Sequence, residues 1–252
     1  RTQRNGAPSI VRSMSDSSLV TSTVVGDVSV VTLDDGKANA ISFDLLDGLN
    51  AALDVALGEA RETKAVVVVG REGKFSAGFD LKVMTGDIAG ARSLLGGGAE
   101  LAMRIFEAPV PVVLGVTGHA LAMGGILTTT ADYRVGAAGS FKIGLNEVAI
   151  GMPVPGFAVE LTRDRLAKRW FTRCIQHAEI VGPVDAVDAG FLDEVVEPSA
   201  VLDRSVAVAQ RLADTVHPVP FSVTRRTIRG SVADQLRASL AADLAVFDVA
   251  GP

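Results

Sequence analysis

The chain has 252 residues, of which 48% are hydrophobic and 21% charged, so it can bury a large core and is neither a disordered tail nor a small disulfide-stapled domain. The formal net charge of −5 excludes nucleic acid as the main partner, and no apolar stretch reaches the about 20 residues that a membrane span needs. The single cysteine, Cys174, cannot form an internal disulfide, and we expect a cytoplasmic protein.

The amino-terminal part of the chain contains two different patterns. Residues 1–18 are polar and lack apolar periodicity, so they are expected to form a disordered extension. Met14 is a candidate natural start, in which case the residues before it are not native. Two β-branched runs follow, at residues 21–25 and 28–33, and the Gly-Asp pair between them predicts a β-hairpin.

The middle of the chain alternates between helical and extended patterns. Ser42 precedes a segment with apolar residues at helical spacing, which predicts a capped helix that ends at about Ala60. Apolar runs that predict strands lie at residues 64–69, 110–116, 133–135 and 141–143. Continuous apolar strands are buried on both faces, so their alternation with helices predicts an α/β fold with a mainly parallel sheet.

The carboxy-terminal third is mostly helical in pattern. A short strand is predicted within residues 191–196, directly after Gly190, which is predicted to end a helix that begins at Asp185. Further helices are predicted over residues 201–213 and 231–249. This part is therefore predicted to be a helical region added to an α/β core.

Three glycine-bearing segments are candidates for chemistry. The run at residues 96–98 lacks the residues of a phosphate-binding loop, so it is interpreted as a flexible or helix-kinking run. Residues 75–81 and 118–126 follow predicted buried strands, where open α/β sheets place their ligands. Backbone N–H groups at such turns can form an oxyanion hole, although glycine-rich turns are also common without a function. Asp80 is predicted to cap the next helix.

Four motifs together resemble the crotonase superfamily, which comprises the enoyl-CoA hydratases and isomerases. The motifs are Phe75-Ser76-Ala77-Gly78-Phe79-Asp80-Leu81, residues 118–125, residues 142–151 and Lys37-Ala38-Asn39-Ala40-Ile41. They occur in the family's order and spacing, and the likeness runs from about Val24 to about Val196.

The resemblance implies an architecture and a class of substrate. It implies a crotonase-like ββα spiral core over residues 19–198 and a helical carboxy-terminal trimerisation region over residues 199–252. It also implies acyl-CoA thioester substrates and homotrimers or hexamers that are dimers of trimers. No metal and no cofactor are implied, because coenzyme A is part of the substrate.

The resemblance also places an oxyanion hole and a CoA site on this chain. The first donor is the backbone N–H of Ala77 or Phe79, which the sequence leaves open, and the second is that of Met123, where the family usually has glycine. Lys37 is implied to contact a CoA phosphate, and the alternative is a solvated loop charge. The residues implied to bind substrate or CoA are Lys37, Ala38, Ala77, Gly78, Phe79, Asp80, Leu81 and Gly124.

The acid–base residues decide which reaction the resemblance implies. Hydratases of this family use two glutamates, and the first of these positions is Ile126 in this chain, which cannot transfer a proton. The second position is Glu147, which lies among apolar neighbours. If Glu147 is buried, its pKa should rise toward neutrality, which suits proton transfer; the alternative is a surface glutamate in a turn.

One carboxyl group and an oxyanion hole are sufficient to move a double bond without activating water. The favoured function is therefore Δ3-Δ2 enoyl-CoA isomerisation with Glu147 as the proton shuttle. The apolar Ile126 agrees with this function, because single-glutamate isomerases of the family also have an apolar residue at that position. The alternatives are a 2-enoyl-CoA hydratase and a catalytically weakened acyl-CoA-binding member of the family.

Other polar residues are given structural interpretations with a functional alternative. His119 is expected to make a structural hydrogen bond rather than to line the thioester pocket. Asp132 is expected to make structural bonds at the start of a strand. A basic helix face formed by Arg225, Arg226 and Arg229 is interpreted as solvated, and its alternative role is a phosphate contact to CoA on a neighbouring subunit.

Overall fold

The computed structural model describes residues 13–16 and 19–247. Within them, ten strands form one seven-stranded and one three-stranded sheet. The strands are β1 (Ser13–Asp16), β2 (Val20–Val25), β3 (Val28–Leu33), β4 (Ala65–Val69), β5 (Gly73–Ser76), β6 (Val112–Val116), β7 (Gly118–Leu121), β8 (Tyr133–Ala137), β9 (Ile143–Gly144) and β10 (Glu194–Val196).

Nine α-helices and two short 3-10 helices complete the described part of the chain. The α-helices are α1 (Phe43–Leu57), α2 (Leu81–Met84), α3 (Ile88–Phe106), α4 (Met123–Thr128), α5 (Gly156–Arg165), α6 (Lys168–Ile175), α7 (Pro183–Ala189), α8 (Val201–Thr215) and α9 (Pro218–Val246). The 3-10 helices are Val148–Ile150 and Pro198–Ala200. None of the described helices is long and apolar enough to cross a membrane.

The large sheet has the strand order β1-β2-β3-β4-β6-β8-β10. Its first three strands are antiparallel and every pair from β3 onward is parallel. The small sheet, β5-β7-β9, is parallel throughout. The prediction of an α/β fold with a mainly parallel sheet is therefore confirmed, and so is the hairpin between β2 and β3.

The large sheet is covered on both faces, which explains its continuous apolar strands. In β4, Val66 and Val68 face a core cluster that includes residues of α1 and α3, while Val67 and Val69 face a second cluster that includes residues of α8. Alternate side chains of a strand point to opposite faces, so both sets must be apolar when both faces are buried.

Helix boundaries agree with the sequence signals to within a few residues. The Ser42 hydroxyl accepts a hydrogen bond from the Leu45 N–H at 3.2 Å, so the predicted cap of α1 is confirmed, although the helix ends at Leu57 rather than at Ala60. Gly190 follows α7 with a φ of +104°, a conformation that favours glycine. That helix begins at Pro183, two residues before the predicted Asp185.

The predicted disordered extension is wrong for part of its length. Ser13–Asp16 form β1, which pairs antiparallel with β2. β1 is held at the edge of the sheet by backbone pairing. A polar sequence without periodicity does not reveal such pairing. Residues 1–12 and 17–18 of that prediction, and residues 248–249 of the helix predicted over 231–249, lie outside the described residues.

The glycine run at residues 96–98 lies inside the continuous helix α3 and not in a flexible segment. A Cβ on Gly97 would lie 2.4 Å from Leu46 Cδ2 in α1. The run therefore permits close packing of α3 against its neighbours, which replaces the interpretation as a flexible or kinking segment.

Asp132 joins the start of β8 to the carboxy-terminal helix α9, which confirms its predicted structural role. Its carboxylate accepts hydrogen bonds from the Val112 N–H at 2.8 Å and from Arg229 Nη2 at 3.2 Å, and it also pairs with Arg225. Arg225 is buried and donates to the carbonyl of Ala108 as well. The interpretation of this face as solvated is therefore wrong for Arg225 and Arg229.

We expect Asp132→Ala to lower the free energy of unfolding by about 3 to 5 kcal/mol, because it leaves two poorly exposed guanidinium groups without their carboxylate. The matched control is Asp54→Ala, which breaks an exposed ion pair to Arg104 and should lower it by about 1 kcal/mol or less. Urea unfolding measures both changes. Equal losses for the two variants would contradict the proposed role of Asp132.

Candidate active site

The first candidate loop connects β5 to α2 and contacts the second loop closely. Gly78 has a φ of +95°, and a Cβ there would lie 2.6 Å from Ala122 Cβ and 3.3 Å from the Met123 nitrogen. The absence of a side chain at Gly78 therefore allows the two loops to approach each other and leaves space beside the Met123 N–H.

The two candidate donors in the first loop differ in their hydrogen bonding. The Ala77 N–H donates to the Ala38 carbonyl at 3.0 Å and is therefore already used. The Phe79 N–H has no acceptor among the described residues. The loop is held on both sides of Phe79, because the Gly78 carbonyl accepts from the Ile41 N–H at 2.7 Å and the Asp80 N–H donates to the Ile41 carbonyl at 2.9 Å.

The second candidate loop ends at the amino terminus of α4. Ala122 has a φ of +49°, a strained value for a residue with a side chain, and Met123 is the first residue of the helix. The first N–H groups of a helix have no partner within it, so the Met123 N–H is left available. A Cβ on Gly124 would lie 2.4 Å from the Ser76 carbonyl oxygen, so glycine permits α4 to pack against β5.

The Glu147 turn is attached directly to the second loop. The Ala122 N–H donates to the Gly144 carbonyl at 3.0 Å, three residues before Glu147. Glu147 is only 7% exposed, and its Oε2 has no hydrogen-bond partner among the described residues. The alternative of a surface glutamate is therefore wrong. Burial raises the pKa of Glu147 from 4.5 to about 7, and a hydrogen bond from its own backbone offsets a smaller part of this effect.

Burial of Glu147 should make the fold less stable as the pH rises. The pKa is about 7 in the fold and 4.5 without burial, so the folded state holds this proton more tightly and stability is lost as the pH rises through 7. Glu147→Gln stays neutral, so at about pH 8 it should be more stable than the wild type by about 3 kcal/mol, and the difference should largely vanish near about pH 4. Urea unfolding of both proteins across this range measures it; a difference that does not depend on pH would contradict the burial effect.

Comparison with known proteins identifies the family. A model of the enoyl-CoA hydratase/isomerase family matches residues 24–250. The chain belongs to the enoyl-CoA hydratase/isomerase family.

Its relatives in this family carry both activities in their names. A crystal structure of an enoyl-CoA hydratase/isomerase family protein from Pseudomonas syringae has a TM-score of 0.87 and 39% identity, covering 91% of this chain and 98% of that one. Human mitochondrial enoyl-CoA delta isomerase 1 is 27% identical over 226 residues, 87% of this chain and 73% of the human protein. A probable enoyl-CoA hydratase from Mycobacterium avium is 31% identical over 185 residues, 70% of this chain and 68% of that protein. The chain is therefore an enzyme with the crotonase fold.

At the position where two-glutamate hydratases of this family are expected to carry the first carboxylate, this chain has an apolar core residue. Ile126 lies in α4, is fully buried and belongs to the main core cluster. Glu147 is the only buried acidic residue within the described part of the chain. Among the described residues, the candidate site therefore has one buried carboxyl group and not two.

Asn39 connects the loops of the family site and was missed by the sequence interpretation. Its side-chain amide donates to the carbonyls of Leu33 and Phe75 at 3.0 and 3.2 Å, and its Oδ1 accepts from the Asp35 N–H at 2.9 Å. The Ser76 hydroxyl donates to its backbone carbonyl at 2.7 Å. Asn39 is fully buried and has a φ of +50°. Asparagine is enriched at positive φ and in turns, so its presence in this loop is the sequence signal that could have identified it.

Some of the remaining predicted site residues lie in the loops that contact each other, and others are exposed. Ala38, Gly78 and Gly124 lie within the contacting loops, whereas Leu81 is 62% exposed. Asp80 caps α2 by accepting a hydrogen bond from the Lys82 N–H at 2.9 Å, as predicted.

Lys37 lies at the exposed end of the loop that contacts Ala77. Its N–H donates to Asp35 Oδ1 at 2.7 Å, and its carbonyl accepts from Arg71 Nη1 at 2.8 Å. The backbone at Lys37 is therefore held while its side chain is exposed. Arg71, which the sequence interpretation did not single out, adds a second cation next to this loop.

His119 has the structural role that was expected of it. Its Nδ1 accepts a hydrogen bond from the Lys142 N–H at 3.0 Å, and its ring makes an edge contact with Phe141. Partial burial, together with the charges of Lys74 and Lys142, lowers the pKa of His119. The neutral imidazole therefore serves as an acceptor that connects β7 to the segment before β9.

Proposed function

We propose that this enzyme isomerises 3-enoyl-CoA thioesters to 2-enoyl-CoA thioesters and that Glu147 carries the proton. The observation that carries the proposal is the environment of Glu147. Its carboxyl group is buried, and one of its oxygens has no hydrogen-bond partner among the described residues. The turn that holds it is hydrogen bonded to the loop that presents the available Met123 N–H. A pKa of about 7 lets this group accept and return a proton near neutral pH.

The proposed oxyanion hole consists of the backbone N–H groups of Phe79 and Met123. Phe79 is preferred over Ala77, because the Ala77 N–H is already donated to the Ala38 carbonyl. Both N–H groups would donate to the thioester oxygen as negative charge develops on it. Removing one such donor from an enzyme typically raises the barrier by about 3 to 4 kcal/mol.

The proposed reaction conserves atoms and charge without a second catalyst. Ionised Glu147 removes a proton from C2, and the electron pair of the broken C–H bond is delocalised onto the thioester oxygen as a dienolate. The dienolate then takes the same proton from Glu147 at C4, while the double bond moves to C2–C3. No water is activated and no cofactor is required, because the CoA belongs to the substrate. Of the two glutamates that hydratases of this family use on water, this chain has only Glu147, with Ile126 in the other position.

We also propose that Lys37 contacts a phosphate of the CoA and that the helical region forms a trimer. Lys37 is exposed on a loop whose backbone is fixed, as a contact to a charged ligand requires. On α9, Val219, Val223 and Ile228 are 74%, 62% and 67% exposed. Exposed apolar side chains of this size favour packing against another copy. The proposed assembly, a homotrimer or a dimer of trimers, is the one that the family resemblance implies.

Two ultraviolet assays test the proposed reaction, because only the conjugated 2-enoyl thioester absorbs strongly. Isomerisation of a 3-enoyl-CoA should increase the absorbance, whereas hydration of crotonoyl-CoA, the competing activity, would decrease it. The proposal requires the first signal to exceed the second. If neither changes, calorimetry with an acyl-CoA would distinguish an acyl-CoA-binding protein, which binds without turnover.

A further inference from the structure

The glycine run of α3 has one member that packs against the side chains of both residues of the proposed oxyanion hole. A Cβ on Gly98 would lie 2.4 Å from Phe79 Cζ, 2.5 Å from Phe79 Cε1 and 3.5 Å from Met123 Cε. A Cβ on Gly97 would instead lie 2.4 Å from Leu46 Cδ2, on α1. Of these two glycines, Gly98 alone is in contact with both residues whose N–H groups form the proposed hole.

The first loop cannot move away as a whole to relieve a clash at Gly98, so the clash acts on the residue Phe79 itself. Gly78 and Asp80, on either side of Phe79, are both hydrogen bonded to Ile41, at 2.7 and 2.9 Å. Met123 is fully buried, so its side chain has no solvent to move into. A side chain on the buried Gly98 must therefore displace the Phe79 ring, the Met123 methyl group or both.

We infer that Gly98 is a positioning residue for the oxyanion hole: it seats the Phe79 ring and the Met123 side chain against α3 and thereby fixes the spacing of the two donor N–H groups. The inference rests on the proposed function. Because its effect is on the geometry of the donors, it should act on the chemical step more than on the proposed phosphate contact of Lys37, which lies on another loop.

The test compares Gly98→Ala with its neighbour Gly97→Ala, which introduces the same side chain into the same helix with an equally short contact. We expect Gly98→Ala to lower kcat by about tenfold to about a hundredfold with KM changed by less than about threefold, since a small misplacement is sufficient for such a loss. Gly97→Ala should keep kcat within about twofold. Equal values of kcat for the two variants would overturn the inference.

A second variant separates positioning from a general loss of packing. Leucine lacks the Cζ and Cε1 atoms that would meet a Cβ on Gly98, while it keeps the backbone N–H. Phe79→Leu introduced into Gly98→Ala should therefore raise kcat at least about fivefold above that of Gly98→Ala. A double variant no more active than Gly98→Ala would overturn the inference.

A spectroscopic measurement distinguishes failure of this inference from failure of the proposed reaction. The infrared stretching band of a bound acyl-CoA labelled with carbon-13 at the thioester carbonyl should move to lower frequency in the wild type, because two N–H groups polarise the carbonyl. The movement should be smaller in Gly98→Ala and unchanged in Gly97→Ala. A wild type that moves the band without isomerising a 3-enoyl-CoA, together with a smaller movement in Gly98→Ala, overturns the proposed reaction and supports the inference, whereas an equal movement in Gly98→Ala overturns the inference alone.

Discussion

Glu147→Gln is expected to lower kcat for isomerisation about a thousandfold while the affinity for an acyl-CoA stays within about twofold. Glutamine keeps the size of the side chain but has no ionisable group, so it can neither remove the C2 proton nor return one at C4. Turnover of a 3-enoyl-CoA measures the first effect, and calorimetric titration with a saturated acyl-CoA measures the second. A variant with near wild-type kcat would show that Glu147 is not the proton shuttle.

The pH dependence of the wild type provides an independent check on the same residue. The ionised carboxylate starts the reaction, so kcat/KM, which reports ionisations of the free enzyme, should rise with pH through the pKa of about 7 that burial gives Glu147. Glu197→Gln is the matched control, because Glu197 is exposed, and it should keep both the rate and the pH profile. A wild-type profile with no ionisation near neutral pH would contradict the assignment.

Gly78→Ala is expected to lower kcat by about a hundredfold or more and also to destabilise the fold. Its Cβ would lie 2.6 Å from Ala122 Cβ and 3.3 Å from the Met123 nitrogen, so it would separate the two loops and crowd the space in front of a proposed donor. The positive φ of +95° adds about 1 to 2 kcal/mol of backbone strain for a residue with a side chain.

The control for Gly78→Ala is Gly73→Ala, which isolates the backbone strain. Gly73 also has a positive φ, +74°, but a Cβ there would meet no atom within 4 Å. Both variants should therefore lose stability in urea, and Gly78→Ala alone should lose turnover at a temperature where both are folded. Comparable turnover in the two variants would show that the space beside the Met123 N–H is not needed.

The sheet was predictable because its strands are buried on both faces and are therefore apolar throughout. The runs that became β4 and β6 show this, as does the hairpin whose turn pairs glycine with aspartate. β1 was not predictable, because a polar edge strand is held by backbone bonds that leave no trace in its side chains. Arg225 shows the same limit: a cation on a helical face looks solvated until its buried carbonyl partners are known.

The segments that form the candidate site were predictable, but the contacts between them were not. Glycine turns after buried strands and the turn around Glu147 were found, whereas the choice between Ala77 and Phe79 required knowing that Ala38 accepts the Ala77 N–H. Asn39 was overlooked for a related reason, since its side chain joins Leu33 and Asp35, which are near it in sequence, to Phe75 in a distant segment. Contacts between segments distant in sequence are set by the fold as a whole.

The proposed use of main-chain donors determines what mutagenesis can detect in this enzyme. Truncating Phe79 or Met123 to alanine leaves the amide hydrogen in place, so a scan of side chains would report packing at these positions and would single out Glu147 alone as chemical. Replacing one amide with an ester through chemical ligation removes the hydrogen and keeps the side chain. Amide-to-ester replacement, rather than side-chain substitution, is therefore the approach that can test the two proposed N–H donors.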